Sequence, residues 1–148
     1  MDTQQLQLIL EETFATNFVM YYKAHQAHVN ITGRNFMQDH KHLKSVYEKL
    51  QDMIDVLGEK LRGIKGTMPT RLSDIISLSA IDDKDLSGES EEILQGVLVG
   101  LEVLLDQFKE LNECAEECNY PDVENMSQDM IDKVAKMIWQ LRATLDCD

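Results

Sequence analysis

Apolar residues recur at spacings that alternate between four and three along four long segments of this chain, and no other pattern limits its possible folds so strongly. Residues at this spacing lie on one face of an α-helix, so each segment is predicted to form an amphipathic helix that packs against its neighbours. Breaks are rare, because the 148 residues contain only 7 Gly and 2 Pro. The predicted helices span residues 3–30, 35–62, 87–118 and 121–144.

The connection between the second and third long helices is also predicted to be structured. Gly63, Gly66 and Pro69 interrupt the helical pattern, and residues 70–81 (TRLSDIISLSAI) then predict a short amphipathic helix. Four long helices with a long connection in the middle indicate an all-α four-helix bundle with a short helix in this crossover. With 43% hydrophobic residues, the chain is predicted to form a single domain over residues 1–148.

The charge balance excludes several classes of function. The formal net charge is −13 and the first Lys is Lys23, so the chain lacks the basic tail that binds nucleic-acid phosphates. Neither a run of 18 apolar residues nor a basic segment before an apolar one is present, so we expect no membrane span and no signal peptide, and we predict a cytoplasmic protein. The cysteines are then expected to be reduced thiols: Cys114, Cys118 and Cys147.

The second helix has a regular predicted core face and a polar row one step around from it. His40 lies on the core face near the helix start, whereas the polar row is expected to be the solvated edge. The predicted core face is Phe36, His40, Leu43, Tyr47, Leu50, Ile54, Leu57 and Leu61, and the polar row is Lys44, Glu48, Asp52, Asp55 and Glu59.

The four histidines of the chain fall within one stretch that contains a helix end, a turn and a helix start. His28 ends the first helix and His40 lies near the start of the second, so a short turn with Gly33 as its left-handed residue should bring the two side chains face to face. Asp55 and Glu59 are spaced i and i+4, so they can approach one ion from the same helix face. Two imidazoles and two carboxylates form a mixed ligand set that suits iron.

Distance separates these two pairs within one chain. At about 1.5 Å per residue, Asp55 lies roughly 22 Å along the helix from His40, which is too far for one ion to bind both. If two copies of the second helix lie antiparallel across a two-fold axis, His28 and His40 of one copy approach the acids of the other, and the symmetry makes the site twice. The residues alone thus predict a metal site between two copies of the chain.

At these positions the sequence resembles the Dps family (DNA-binding protein from starved cells), the small dodecameric branch of the ferritin-like superfamily. The family signature is a His-Trp-Asn-x-x-Gly-x-x-Phe segment, a second His twelve residues after the first, an Asp four residues later, and an Asp-x-x-x-Glu pair further along the same helix. The resemblance extends through the crossover to the final MIWQLRATL. The matching residues, all in register, are His28, Asn30, Gly33, Phe36, His40, Asp55 and Glu59.

This resemblance implies a ferritin-like four-helix bundle that oxidises and stores iron. Fe(II) would bind between subunits, peroxide or oxygen would oxidise it, and ferric mineral would collect inside a hollow dodecamer, which protects against oxidative damage. His28 and His40 would hold non-haem iron from one subunit, and Asp55 and Glu59 would hold it from the partner. The basic tails through which family members bind DNA are missing, so no DNA binding is expected.

Two residues depart from the family signature. Val29 replaces the Trp, which removes an aromatic wall near the site, and Lys44 replaces the Asp that follows the second His. A cation beside a divalent metal lowers the affinity, since unit charges 4 Å apart interact by about 4 kcal/mol at an effective dielectric constant of ~20. The alternative hypothesis is a shell protein with a weakened or degenerate site, in which Lys44 pairs with an acid of the partner and the assembly acts as a scaffold or partner-binding cage. Candidates for a substitute ligand are Asp39, His42, Glu48 and Asp52.

The remaining candidate residues are predicted to be structural. His25 lies on the apolar face of the first helix and should be buried with a hydrogen bond, whereas His42 lies near the polar side and should be exposed. Cys114 and Cys118, at i and i+4, can share a soft metal, but a structural zinc site needs four ligands, so they are predicted to be small core and boundary residues. Core filling is also expected of Met126, Met130 and Met137.

The turn before the last helix is acidic. In the Dps family, acids line pores through which iron enters, and a solvated surface turn is the competing interpretation. Both stay open for the residues concerned: Glu113, Glu116, Glu117 and Asp122.

Overall fold

The computed structural model describes residues 2–146, which form five α-helices and contain no β-strand. The predicted all-α architecture is therefore confirmed. No helix in this part of the chain is both long enough and apolar enough to cross a membrane. In chain order the helices are α1 (Thr3–Asn30), α2 (Phe36–Gly63), α3 (Leu72–Leu78), α4 (Ser90–Glu117) and α5 (Pro121–Leu145).

The four long helices pack as two antiparallel pairs, α1 with α2 and α4 with α5, and α1 also packs along α4 to join the pairs. Within the first pair, Asn17 Nδ2 donates a hydrogen bond to the backbone oxygen of Leu50 (3.0 Å). The short helix α3 lies in the crossover and packs against α1. Beyond its end, the backbone N–H of Ala80 donates to Thr16 Oγ1 (2.9 Å), which fixes the crossover to the bundle.

The core lies between the long helices, where each buries its apolar face. Phe14 and Phe108 are the largest fully buried side chains. Burial of a side chain of this kind contributes about 1.5–3 kcal/mol relative to exposure. The predicted burial of three methionines is confirmed for Met126, Met130 and Met137.

The buried face of α2 is rotated by one step from the predicted face. Phe36, His40, Tyr47 and Ile54 are only half-buried, while the predicted polar row is exposed as expected. The prediction missed this face because its first position is occupied by an acidic residue, Asp39. A pattern that considers only apolar residues does not include it. Besides Gly58, the buried residues of α2 are Asp39, Leu43, Val46, Leu50, Met53, Leu57 and Leu61.

Two glycines with positive φ determine where helices end and begin. Gly33 has φ 121°, and its carbonyl oxygen accepts a hydrogen bond from the backbone N–H of Phe36 (3.2 Å). The chain therefore reverses direction within residues 31–35, as predicted. Gly88 has φ 108°, which is outside the helical region, so α4 begins at Ser90 and the predicted start at residue 87 was wrong.

Candidate metal centre

The rings of His28 and His40 lie stacked at the end of the bundle where α1 meets α2. Their centroids are 3.7 Å apart and their planes differ by 14°. Phe36 stacks on the other side of His40, with ring centroids 4.8 Å apart. The prediction that the two histidines face each other across the turn is confirmed.

Each of these histidines is held by the backbone of the other. His28 Nδ1 lies 2.6 Å from the carbonyl oxygen of His40, and His40 Nδ1 lies 2.6 Å from the carbonyl oxygen of His28. A carbonyl oxygen can only accept, so both Nδ1 atoms carry a hydrogen and donate it. In a neutral imidazole this leaves the lone pair on Nε2, the atom that can bind a metal ion.

The carbonyl of His28 is free to accept this bond because it lies in the last turn of α1, where carbonyl groups lack a helical partner. The bond to His40 therefore satisfies a helix end and orients a ring at the same time. Neither Nε2 takes part in a hydrogen bond with any residue in the 2–146 range. The two nitrogens are positioned by backbone geometry and remain available.

An aromatic wall lies beside the His28 ring. His25 stacks on Tyr47 with centroids 3.9 Å apart and an interplanar angle of 4°, and the Tyr47 ring lies 5.2 Å from that of His28. The hydroxyl of Tyr21 and His25 Nδ1 are hydrogen-bonded (2.9 Å), so the predicted bond of His25 is confirmed, although this side chain is only half-buried. The wall was not predicted, because its members lie on two helices.

His42 and Asp39 form a second pair on α2, and the predicted exposure of His42 was wrong, because its side chain is half-buried. His42 precedes the buried Leu43 and follows the buried Asp39 by three positions, so the helix turns it inward. Its Nε2 is buried without a hydrogen-bond partner. Burial lowers the pKa of His42, an effect that Asp39 opposes and Lys49 reinforces; burial also raises the pKa of Asp39, against the effect of His42.

The acids of the predicted site lie far from the histidines. α2 is one continuous helix of 28 residues, so the separation of roughly 22 Å between His40 and Asp55 applies without a break. Asp55 and Glu59 are exposed and form no ion pair with another described residue. Within residues 2–146 of one chain, no three His, Cys, Asp or Glu side chains come close enough to share a metal ion.

Lys44 lies one helical turn after His40 on α2 and is exposed. Among residues 2–146 no carboxylate pairs with it. Of the possible substitute ligands, Glu48 and Asp52 are exposed, Asp39 is buried and His42 is half-buried.

A surface of large apolar side chains extends from α3 along α1 to the histidine end of the bundle. Tyr22 and Val29 are seven residues apart on one face of α1 and are 62% and 63% exposed. Leu72 and Ile76, at i and i+4 on α3, are 67% and 48% exposed. Tyr22, Leu72 and Ile76 line one open groove of about 520 Å³. We call Tyr22, Val29, Leu72 and Ile76 together the α1–α3 apolar face.

The opposite end of the bundle carries the cysteine pair and the acidic turn. Cys114 is buried and Cys118 is half-buried, which confirms the predicted core and boundary positions, whereas Cys147 lies outside the described residues. Asp122 forms an ion pair with Lys60 (3.3 Å). The acids of this turn are exposed, and their role in a pore stays a prediction: Glu113, Glu116, Glu117 and Asp122.

Two sequence comparisons relate the chain to known proteins. The ferritin-like domain family matches residues 7–147. The "DNA protection during starvation protein" of Helicobacter pylori (strain J99) is 30% identical over 138 residues, which are 93% of this chain and 96% of that protein. An uncharacterised protein of Haemophilus influenzae is 30% identical over 134 residues, which are 90% of this chain and 84% of that protein.

Solved structures have the same fold. The Dps protein of Vibrio cholerae O1, described as a member of a broad superfamily of ferritin-like diiron-carboxylate proteins, superimposes with a TM-score of 0.91 at 26% identity, covering 97% of this chain and 90% of that one. The Dps protein of Bacillus brevis also superimposes with a TM-score of 0.91, at 24% identity over 97% of this chain and 96% of that one. With the ferritin-like bundle and the histidine motif in place, this chain belongs to the Dps family of ferritin-like proteins.

Proposed function

We propose that this protein is a mini-ferritin that binds Fe(II) between subunits, oxidises it with peroxide or oxygen and stores the ferric product. In this proposal His28 and His40 of one copy and Asp55 and Glu59 of a second copy hold each iron. Iron is the substrate of the reaction. The proposal also includes assembly into a hollow dodecamer, whose acidic surfaces attract the cation.

The observation that carries the proposal is the pair of oriented imidazoles. Each Nδ1 donates to the carbonyl oxygen of the other histidine at 2.6 Å, so each Nε2 presents a lone pair without rearrangement. Histidines that only fill a core have no need of such a mutual arrangement at the surface end of a bundle. Imidazole nitrogens with carboxylate oxygens form a ligand set suited to Fe(II).

A second copy supplies the acids in this proposal. Asp55 and Glu59 are exposed, lack an ion-pair partner in the described chain and lie roughly 22 Å from His40, so their own histidines are out of reach. The α1–α3 apolar face gives the second copy a surface to bury, and it ends at Val29, the neighbour of His28. A two-fold axis through this region forms two equivalent sites.

The residues of the site have distinct roles in the proposed reaction. The neutral histidines bind the ion without adding charge, and the two carboxylates compensate the increase from +2 to +3 on oxidation. Two Fe(II) ions give two electrons to one peroxide, which takes up two protons and leaves as two water molecules. Because both electrons are consumed, no hydroxyl radical is released.

A second candidate function follows from Lys44. Its ammonium group lies on the same face as His40, one turn away, where members of the family carry an Asp. If Lys44 pairs with Asp55 or Glu59 of the second copy, its ammonium group occupies the place of the metal ion. The protein is then a shell without ferroxidase activity that serves as a scaffold or partner-binding cage.

Stopped-flow measurement of Fe(II) oxidation by peroxide separates the two functions. Asp55→Asn and Glu59→Gln remove one charge each with little change in shape, and Asp132→Asn on the exposed side of α5 is the matched control. We expect both site variants to lose at least tenfold in rate while the control keeps the wild-type rate. Equal rates in all four proteins would refute the interfacial site, and no oxidation in the wild type would favour the shell function.

A further inference from the structure

Two thiols lie together at the end of α4, far from the histidines. Cys114 Sγ and Cys118 Sγ are 4.0 Å apart, as expected for side chains at i and i+4 on one helix face. Cys114 is fully buried, and Cys118 is half-buried at the C-cap of the helix. Cys118 Sγ also donates a weak hydrogen bond to the backbone oxygen of Asp2 (3.4 Å), so the start of α1 fixes its orientation.

The thiol of Cys114 is protected from oxidation by its surroundings. Burial raises its pKa to about 11, and the neighbouring Cys118 and the charge of Glu117 contribute to this rise. The reactive form of cysteine is the thiolate, so a thiol with this pKa reacts slowly with peroxide at neutral pH. Cys114 therefore stays reduced, and a soft metal ion binds it by displacing the thiol proton.

The distance between the sulfur atoms suits a shared ion. A metal–thiolate bond is about 2.3 Å long, so an ion held in line between two sulfurs needs them about 4.6 Å apart, roughly 0.6 Å more than the 4.0 Å between Cys114 Sγ and Cys118 Sγ. A small rotation of the half-buried Cys118 side chain about its Cα–Cβ bond can supply this difference. Zinc and iron–sulfur centres require four ligands, and the described residues bring no third His, Cys, Asp or Glu to this pair. Copper(I), a soft monovalent ion, prefers thiolates and binds two of them in a nearly linear arrangement.

We propose that Cys114 and Cys118 bind one copper(I) ion as a bis-thiolate. Two S–H bonds break, two copper–sulfur bonds form, and two protons pass to water, so the bound centre carries a net charge of −1. No electron is transferred. This site is independent of the proposed iron chemistry, because it lies at the opposite end of the bundle from His28 and His40.

Release of two protons gives the site a characteristic pH dependence. While both thiols are protonated in the free protein, each unit of pH increases the apparent affinity by about 100-fold. A site with neutral histidine ligands changes far less above pH 7, since those nitrogens are already unprotonated there. The pH dependence in the wild-type protein thus distinguishes the cysteine pair without any substitution.

The test is an anaerobic titration of the purified protein with copper(I) in competition with a chromophoric copper(I) chelator. Cys114→Ala and Cys118→Ala each remove one ligand, Cys147→Ser controls for the third thiol, and His28→Ala controls for the proposed iron site. Circular dichroism establishes that each variant is folded. Because Cys118 is half-buried, its replacement is tolerated even if Cys114→Ala is not.

We expect one copper(I) per chain in the wild type, a loss of at least 100-fold in affinity in each of the two ligand variants, and wild-type binding in both controls. Affinity unchanged by Cys118→Ala, or lost in Cys147→Ser or His28→Ala, would overturn the proposal. An affinity that rises by less than tenfold per unit of pH would overturn it as well.

Discussion

The charge of Lys44 gives the most informative prediction about the proposed iron site. Lys44 is exposed, lies one turn after His40 on α2 and has no ion-pair partner among residues 2–146. Lys44→Asp reverses this charge beside the two available Nε2 atoms. It also places a carboxylate where members of the family carry one. The substitution therefore changes the local charge and adds a possible metal ligand.

The size of the electrostatic effect follows from the helix geometry. The Cβ atoms of residues at i and i+4 are about 5–6 Å apart. If the side-chain charge lies about 6 Å from the ion, two unit charges at this distance in water interact by about 0.7 kcal/mol. The substitution changes the side-chain charge by two units and the ion carries two, so the effect is four times this value, about 2.8 kcal/mol. This difference corresponds to about 100-fold tighter binding of Fe(II) at low salt, and less at high salt because ions screen exposed charges.

Anaerobic equilibrium titration with Fe(II) measures this affinity directly. Lys49→Asp is the matched control, because it makes the same change in net charge on the same helix at an exposed position nine residues from His40, roughly 13 Å away. The two variants are compared at 0.15 M salt, where the Debye length is about 8 Å and screening removes most of the effect at this distance. Unchanged affinity in Lys44→Asp, or an equal gain in Lys49→Asp, would refute the reasoning.

Three further predictions concern the assembly and the fold. Leu72→Asp combined with Ile76→Asp puts two charges in the α1–α3 apolar face, so we expect a folded species smaller than the wild-type oligomer in analytical ultracentrifugation, and an unchanged oligomer would contradict the assigned interface. Burial and two neighbouring glutamates raise the pKa of Glu12 above 4.5, so its contribution to stability is present below that pH and is lost as pH rises. Glu12→Gln should therefore raise Tm at pH 7 and leave it unchanged near pH 3, and a lower Tm at pH 7 would contradict this. Gly33→Ala forces a side chain into φ 121° and should lower the free energy of unfolding in urea by about 1–3 kcal/mol; no loss would show that the turn relaxes freely.

The helices were predictable because the spacing of apolar residues repeats over many turns. Where the structure departs from the prediction, single residues are responsible. Asp39 occupies a core position of α2, so a pattern that counts only apolar residues places the buried face one step away, and His42 then reads as exposed. Gly88 delays the start of α4 through its backbone conformation, and a side-chain pattern contains no information about φ.

The pairing of His28 and His40 was partly predictable for a similar reason. A short turn between two helices forces residues near both ends together, so the proximity of His28 and His40 follows from their positions alone. The exchange of Nδ1 hydrogen bonds with backbone carbonyls does not, because it depends on the exact separation of the helix ends. The stack of His25 on Tyr47 likewise joins two helices, and no local spacing indicates it.

Anomalous scattering from crystals soaked anaerobically in Fe(II) tests the proposed interfacial site most directly. We predict an iron peak bound by Nε2 of His28 and His40 and by the carboxylates of Asp55 and Glu59 from a second copy, repeated by the two-fold axis. A second copy whose acids contact Lys44, with no iron at the histidines, would contradict the ferroxidase proposal and support the shell function instead.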